Sequence, residues 1–221
     1  MKQLVLALTP TSEPTTANFF PGRNGAALAA LAEALGGGER FVYLWGAPGC
    51  GKTHLLRAFA ARAAESGLST EYVHGPRWDL MEGPAALAID DVQALDAAGQ
   101  LRLFNLCNEL RARKGVLAAA ADRPPADLPL REDLRSRLAS GLVLHLQVLS
   151  DEEKAQALKT HAARRGIALG DDVTAYLLKH IPRDMGTLIA ALDALDRLSL
   201  ELKRPITPAL AREAIYESTP D

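Results

Sequence analysis

The sequence predicts an α/β fold, a five-stranded parallel sheet with helices on both faces, followed by a smaller all-helical domain. Three observations carry this. Short apolar runs alternate with helical patterns from residue 25 to residue 147, as strands joined by crossover helices do. The strands stop after Ser150, and from there to residue 221 the apolar residues recur at helical spacing. Between the first strand and the next helix stands Gly46-Ala47-Pro48-Gly49-Cys50-Gly51-Lys52-Thr53, a complete GxxxxGK[ST] pattern.

The elements follow in order. Residues 1–18 hold an apolar run, Leu4 to Leu8, and then TPTSEPTTAN, whose Thr, Ser and Pro give an extended linker with little to bury. The run is shorter than a secretory core, so export is not expected; an edge strand and a peptide for another protein's pocket both remain open. Residues 19–150 form the α/β domain. After NFFPGRN come a helix (Gly25 to Leu35), the turn GGG and the strand FVYLW at 41–45. Next are a helix from His54 to Glu65 and strands Thr70 to His74 and Ala85 to Ile89. A helix from Ala97 to Arg113 and strands Val116 to Ala121 and Leu142 to Gln147 complete the domain. Residues 151–221 supply four helical segments. The length suits one substantial core with a smaller attachment, and no apolar stretch is long enough to cross a membrane.

Lys and Arg number 25 against 27 Asp and Glu, a net charge of -2, which excludes a global basic excess and leaves any nucleic-acid role local or indirect. Arg111, Arg113 and Lys114 form a small basic cluster that reads as a solvated helix end. The two cysteines, Cys50 and Cys107, are too few for a disulfide framework and point to a reducing cytoplasm.

The GxxxxGK[ST] spacing has a chemical reason. Glycines let backbone N–H groups wrap phosphate oxygens, Lys52 reaches the terminal phosphates, and the Thr53 hydroxyl is placed to ligate Mg²⁺. Across the site the strand ALAID ends at Asp90-Asp91, on the edge where open α/β sheets bind ligands. Asp90 is the candidate metal ligand and Asp91 the candidate to polarise a water, against the plainer role of helix caps. Asp122 follows another strand and is the candidate to orient the attacking water, or a turn Asp before prolines. Arg131, Arg135 and Arg137 precede the last strand; an outward-facing arginine there suits a neighbour's nucleotide better than its own.

In that order GAPGCGKTHLLRA, LAIDDVQ, ADRPP and LRSRLASGL resemble the nucleotide-binding domain of the bacterial replication initiator DnaA, an AAA+ ATPase, across residues 16–217. The sequence stops at Asp221 without the initiator's DNA-binding domain, and its tail is similar to the lid of the Hda family of DnaA paralogues. The resemblance implies an AAA+ core with a helical lid. Gly46 to Thr53 and His54 would hold ADP or ATP with Mg²⁺, and Phe20 and Pro21 in NFFPGRN would help to enclose the adenine. It implies two partners, DnaA and the sliding clamp of DNA polymerase III (its β subunit), with DNA reached through the clamp and no membrane. That gives a cytoplasmic, nucleoid-associated protein. The opening peptide is similar to the clamp motif QLxLPL at Gln3, Leu4, Leu6 and Leu8, with Ala7 in place of proline. Arg137 stands at the arginine-finger position, which demands a neighbour, DnaA or a second copy of this chain. Gly186 stands where the family places a second sensor arginine, so weak intrinsic ATPase activity is expected. The function implied is regulatory inactivation of DnaA through its bound ATP. A DnaA-like helicase loader is the alternative, and a small-molecule kinase lacks an evident acceptor site.

Overall fold

The computed structural model describes residues 13–75 and 83–216. Gln3, Leu4, Leu6 and Leu8, the proposed clamp contacts, lie outside the described residues. Strands β1 (Phe41–Trp45), β2 (Thr70–His74), β3 (Ala86–Asp90), β4 (Val116–Ala121) and β5 (Leu142–His145) form one sheet in the order β2-β3-β4-β1-β5, with every neighbouring pair parallel. The expected fold class is therefore observed.

Side-chain alternation sorts each strand onto two faces. Val42, Leu44, Ala88, Ala118 and Ala120 pack with α1 (Gly25–Gly36) and α2 (Lys52–Glu65) through Leu31, Leu55, Leu56 and Phe59. Phe41, Tyr43, Leu87, Ile89 and Leu117 pack with α3 (Ala97–Ala112) and α4 (Glu132–Leu138) through Leu103, Leu110, Leu134 and Leu138. The alanines on the first face keep β3 and β4 low beneath α2, which brings the start of α2 up to the loop that follows β1.

Several boundaries differ from expectation by one or two residues, and three of the differences have a local reason. β3 runs through Asp90, because His74 pairs with Asp90 and extends the ladder by one residue. α2 begins at Lys52, so the end of the GxxxxGK[ST] stretch is already helical. β5 ends at His145, and the backbone of Gln147 is instead taken up by the Asn24 side chain. The seven-residue α4 lies in a charged stretch and is anchored only by Leu134 and Leu138.

Pro14–Val148 forms one compact unit, and the residues from Leu149 onward belong to a second. The second holds α5 (Asp151–Arg164), α6 (Asp171–His180), α7 (Met185–Leu202) and α8 (Pro208–Tyr216) around Leu158, Leu177, Leu188, Leu192 and Leu210. Ser150 and Glu153 form a capping box at the start of α5. Asp193, buried on α7, accepts from Arg165 Nη1 at 2.5 Å and lies 2.9 Å from His161 Nε2, so its charge is paired inside the helical core. Among the described residues, no helix is long and apolar enough to cross a membrane.

Candidate functional site

The loop Gly46 to Gly51 leaves β1 and enters α2 at Lys52. Gly46 is buried against β5: a Cβ there would lie 2.4 Å from the Leu146 carbonyl oxygen, so only glycine passes. Ala47, Pro48 and Gly49 are exposed, and Cys50 is buried beneath them. Gly51 has φ +101°, and a Cβ there would meet the Phe19 ring at 2.8 Å. Lys52 Nζ donates to the carbonyls of Gly46 at 2.7 Å and Ala47 at 3.2 Å, folding the ammonium over the loop it would share with phosphate.

Asp90 faces this loop from β3 and is 1% exposed. Its Oδ2 accepts from Thr53 Oγ1 at 2.5 Å and from the Tyr72 hydroxyl at 3.3 Å, and its Oδ1 accepts from the Asp91 N–H at 3.1 Å. Three donors satisfy a carboxylate that burial alone would disfavour. Burial holds the Tyr72 hydroxyl above its ordinary pKa, so it remains a donor to Asp90.

Asp91 adopts a left-handed conformation, φ 51° and ψ 48°, at the start of a 3-10 turn over Val92–Ala94. This turns its carboxylate out of the strand direction, where Gln93 Nε2 donates to Oδ1 at 3.0 Å. His74, at the end of the neighbouring β2, lies 3.8 Å from Asp90 Oδ2 and 3.7 Å from Asp91 Oδ2. Asp122 directly follows β4 and is gripped by Arg123 through bonds of 3.0 Å and 2.7 Å. That pairing holds its carboxyl below the usual range, with Lys52 contributing in the same direction.

The segment before α1 closes the loop from the other side. His54 Nε2 lies 3.0 Å from the Thr15 carbonyl oxygen, and its ring sits 5.4 Å from that of Phe19. Burial pushes the His54 pKa down, which keeps the ring neutral beside the phosphate loop. Phe20 and Pro21 are half-buried in the same segment, and the Asn24 N–H donates to the Pro21 carbonyl at 2.7 Å. Asn24 staples the segment to the chain after β5, its Nδ2 donating to the Gln147 carbonyl at 2.9 Å and its Oδ1 accepting from the Gln147 N–H at 2.8 Å.

The structure thus brings together Gly46 to His54, Asp90 and Asp91 at the carboxyl edge of the sheet. Arg137 stands apart on α4. It is half-buried, not turned wholly outward, and its guanidinium lies 5.7 Å from the centre of the Phe104 ring. Arg131 pairs with Asp133, and Arg135 donates to the Ala126 carbonyl. In the second unit Arg183 precedes α7 and pairs with Asp151 at 2.8 Å, and Gly186 lies in the first turn of α7. Sequence reasoning missed Phe19, Asn24, Tyr72, His74 and Gln93. A signal existed for two of them: β2 pairs in register with β3, which sets Tyr72 and His74 beside the acidic strand end.

Thr53 Oγ1 and Asp90 Oδ2 are hard oxygen donors, which fits Mg²⁺ held by few protein ligands together with phosphate oxygens and water. Among the described residues no group of three His, Cys, Asp or Glu side chains could hold a metal by itself.

Residues 151–215 match the family model described as the Hda lid domain. Most of the chain is similar in fold to solved structures. One is domain III of the Thermotoga maritima replication initiation protein DnaA, at 22% identity and TM-score 0.74, covering 94% of this chain and 98% of that one. Another is AMPPCP-bound DnaA from Aquifex aeolicus, at 24% identity and TM-score 0.73, covering 88% and 68%. The Thermotoga maritima RuvB Holliday junction branch migration motor matches at 20% identity and TM-score 0.64, covering 90% and 70%.

Proposed function

We propose that the chain is an Hda-like relative of DnaA and a nucleotide-binding regulator of DNA replication, which docks on the DNA-loaded sliding clamp and stimulates hydrolysis of the ATP held by DnaA. One observation carries the proposal: a lid of the Hda family follows, in the same chain, a core whose phosphate loop, lysine, hydroxyl and buried carboxylate are all in place. A core of this kind suits a nucleotide, and the match of residues 151–215 to the Hda lid supports a role in regulating the initiator.

In this account the amides of Gly46 to Gly51 wrap the phosphates of ADP or ATP, and Lys52 exchanges its two carbonyl acceptors for phosphate oxygens. Thr53 and Asp90 hold Mg²⁺, which neutralises phosphate charge when bound. Asp91, aimed by Gln93, faces the position of an attacking water, and Asp122 orients that water only if Arg123 releases it. Intrinsic turnover is slow in this reading, because Gly186 stands at the position where the family carries a second sensor arginine. The nucleotide then serves mainly to hold the chain in its regulatory form.

Arg137 does the work in trans. Its weak contact with Phe104 is readily exchanged for phosphoryl oxygens of the nucleotide on DnaA. An arginine finger of this kind accelerates hydrolysis by roughly 10³–10⁵-fold, about 4–7 kcal/mol of barrier. The opening peptide supplies the tether to the clamp: the Gln3 amide meets polar groups at a pocket rim, and Leu6 and Leu8 fill an apolar groove, each full burial contributing roughly 1.5–3 kcal/mol. A pull-down on clamp-loaded DNA tests the tether. Wild type is retained, and Gln3→Ala combined with Leu6→Ala is lost; equal retention of both would remove the peptide from the account.

A further inference from the structure

The end of the sheet opposite the phosphate loop carries a second concentration of positive charge. The residues that lead into β1 and β4 meet there around an open pocket of about 300 Å³, lined by Gly38, Glu39, Arg40, Arg111, Lys114 and Gly115. Three cations converge on a chain whose net charge is -2. The one acidic side chain of the lining, Glu39, is already engaged, its Oε1 accepting from the Phe41 N–H at 3.1 Å.

Arg111 is held in place. Its guanidinium lies over the Phe41 ring at 4.4 Å, and Nη2 donates to Ser140 Oγ. Lys114 is fixed by the backbone: it takes φ 57°, and Gly115 follows it where a Cβ would lie 2.5 Å from Leu110 Cδ2 and 2.9 Å from the Ala85 carbonyl oxygen. Close packing of that turn sets the lysine at the pocket rim. The side chains of Arg40 and Lys114 have no ion pair or hydrogen bond among the described residues, and three cations against the one carboxylate of Glu39 leave the lining with an excess of positive charge. A helix end that needed only solvation would not require a third cation from another segment, nor an arginine clamped on an aromatic ring.

We propose that Arg40, Arg111 and Lys114 form a phosphate-binding site, separate from the nucleotide site, that receives the phosphodiester backbone of duplex DNA. The chemistry is that of a tetrahedral oxyanion met by a rigid arginine and two flanking cations. Only the choice of DNA as the source of the phosphate rests on the proposed role in replication. Pyrophosphate presents the same chemistry without a duplex and separates the two sources.

The test compares wild type with the double variant Arg40→Gln and Lys114→Asn, in which asparagine tolerates the left-handed turn. Both are saturated with ADP so that the phosphate loop is filled, and the wild type is repeated in the Lys52→Ala background. Binding of a short labelled duplex of mixed sequence is followed by fluorescence anisotropy across salt concentrations, and pyrophosphate is titrated by calorimetry. Wild type binds the duplex, the variant binds it at least about 10-fold more weakly, and the slope of log K against log salt falls by about 2, near 0.9 for each lost phosphate contact. Pyrophosphate binding that the variant loses, without duplex binding, supports the site and assigns it to a free phosphate compound. Equal binding by variant and wild type, or none by wild type, overturns the inference. ADP affinity and unfolding midpoint are measured on the same samples. Clamp retention and stimulation of DnaA read the proposed function independently, so failure here leaves that account standing.

Discussion

The contact between Phe19 and Gly51 is where the segment before α1 meets the phosphate loop, and Gly51→Ala breaks it in two separable ways. The first is conformational: at φ +101° an alanine is strained, and a left-handed non-glycine residue costs roughly 1–2 kcal/mol. The second is steric. The new Cβ falls 2.8 Å from Phe19 Cε2, inside ordinary contact distance, so the ring must shift against the α1 and α2 face of the core. Phe19 is only half-buried, so about 1–2 kcal/mol of apolar burial is at stake, less than a full phenylalanine provides. Gly51→Ala should therefore destabilise the chain by about 2–4 kcal/mol, combining the two effects. In a Phe19→Ala background only the conformational part should remain, so urea unfolding of the four proteins should give a coupling of about 1–2 kcal/mol. Additivity within about 0.5 kcal/mol would mean that Phe19 does not rest on Gly51, and would refute the proposed closure of the loop.

Further outcomes follow from the same geometry. Asn24→Ala removes both bonds to Gln147; because Gln147 is exposed, water recovers part of the loss, and urea unfolding should register about 1–2 kcal/mol. His54 gives a signed pH dependence. Its folded pKa is lowered by burial, so the unfolded chain takes up a proton more readily, and the stability is present above the unfolded value of about 6.5 and lost as pH falls through it toward the folded pKa. The Tm difference between wild type and His54→Gln should shrink from pH 7.5 to pH 5.5, as differential scanning calorimetry can check; a difference constant with pH would count against a buried neutral ring. Lys52→Ala should weaken fluorescent ADP binding by at least about 100-fold with little change in unfolding midpoint, since the ammonium bonds only groups of its own loop, the Gly46 and Ala47 carbonyls and Cys50 Sγ.

Legibility in the sequence followed the range of the forces involved. β1 and β4 were readable because FVYLW and VLAAAA are continuous apolar runs, as strands covered on both faces must be. The GxxxxGK[ST] stretch was readable because its chemistry is local. Asp90 and Asp91 are legible as a pair with separate candidate roles, but the backbone that parts them is not: Asp90 is drawn into the ladder by His74, whereas Asp91 is turned aside by its left-handed backbone. Phe20 and Pro21 are expected at the nucleotide from the resemblance, and the structure adds Phe19, whose ring rests on the bare Cα of Gly51, a contact that nothing in NFFPGRN marks. The bond from Asn24 to Gln147 spans 123 residues and leaves no mark on either local pattern. The α4 helix was hidden because two leucines, not a periodic stripe, hold it.

Arg137 is proposed to act on a nucleotide held by another protein. The direct measurement is hydrolysis of labelled ATP bound to DnaA, with clamp-loaded DNA and this chain present, comparing wild type with Arg137→Ala and Arg137→Lys. Wild type should accelerate hydrolysis, and both variants should lose the acceleration while keeping ADP binding and clamp retention, because an ammonium does not reproduce the guanidinium fork. Full stimulation by Arg137→Ala would contradict the account.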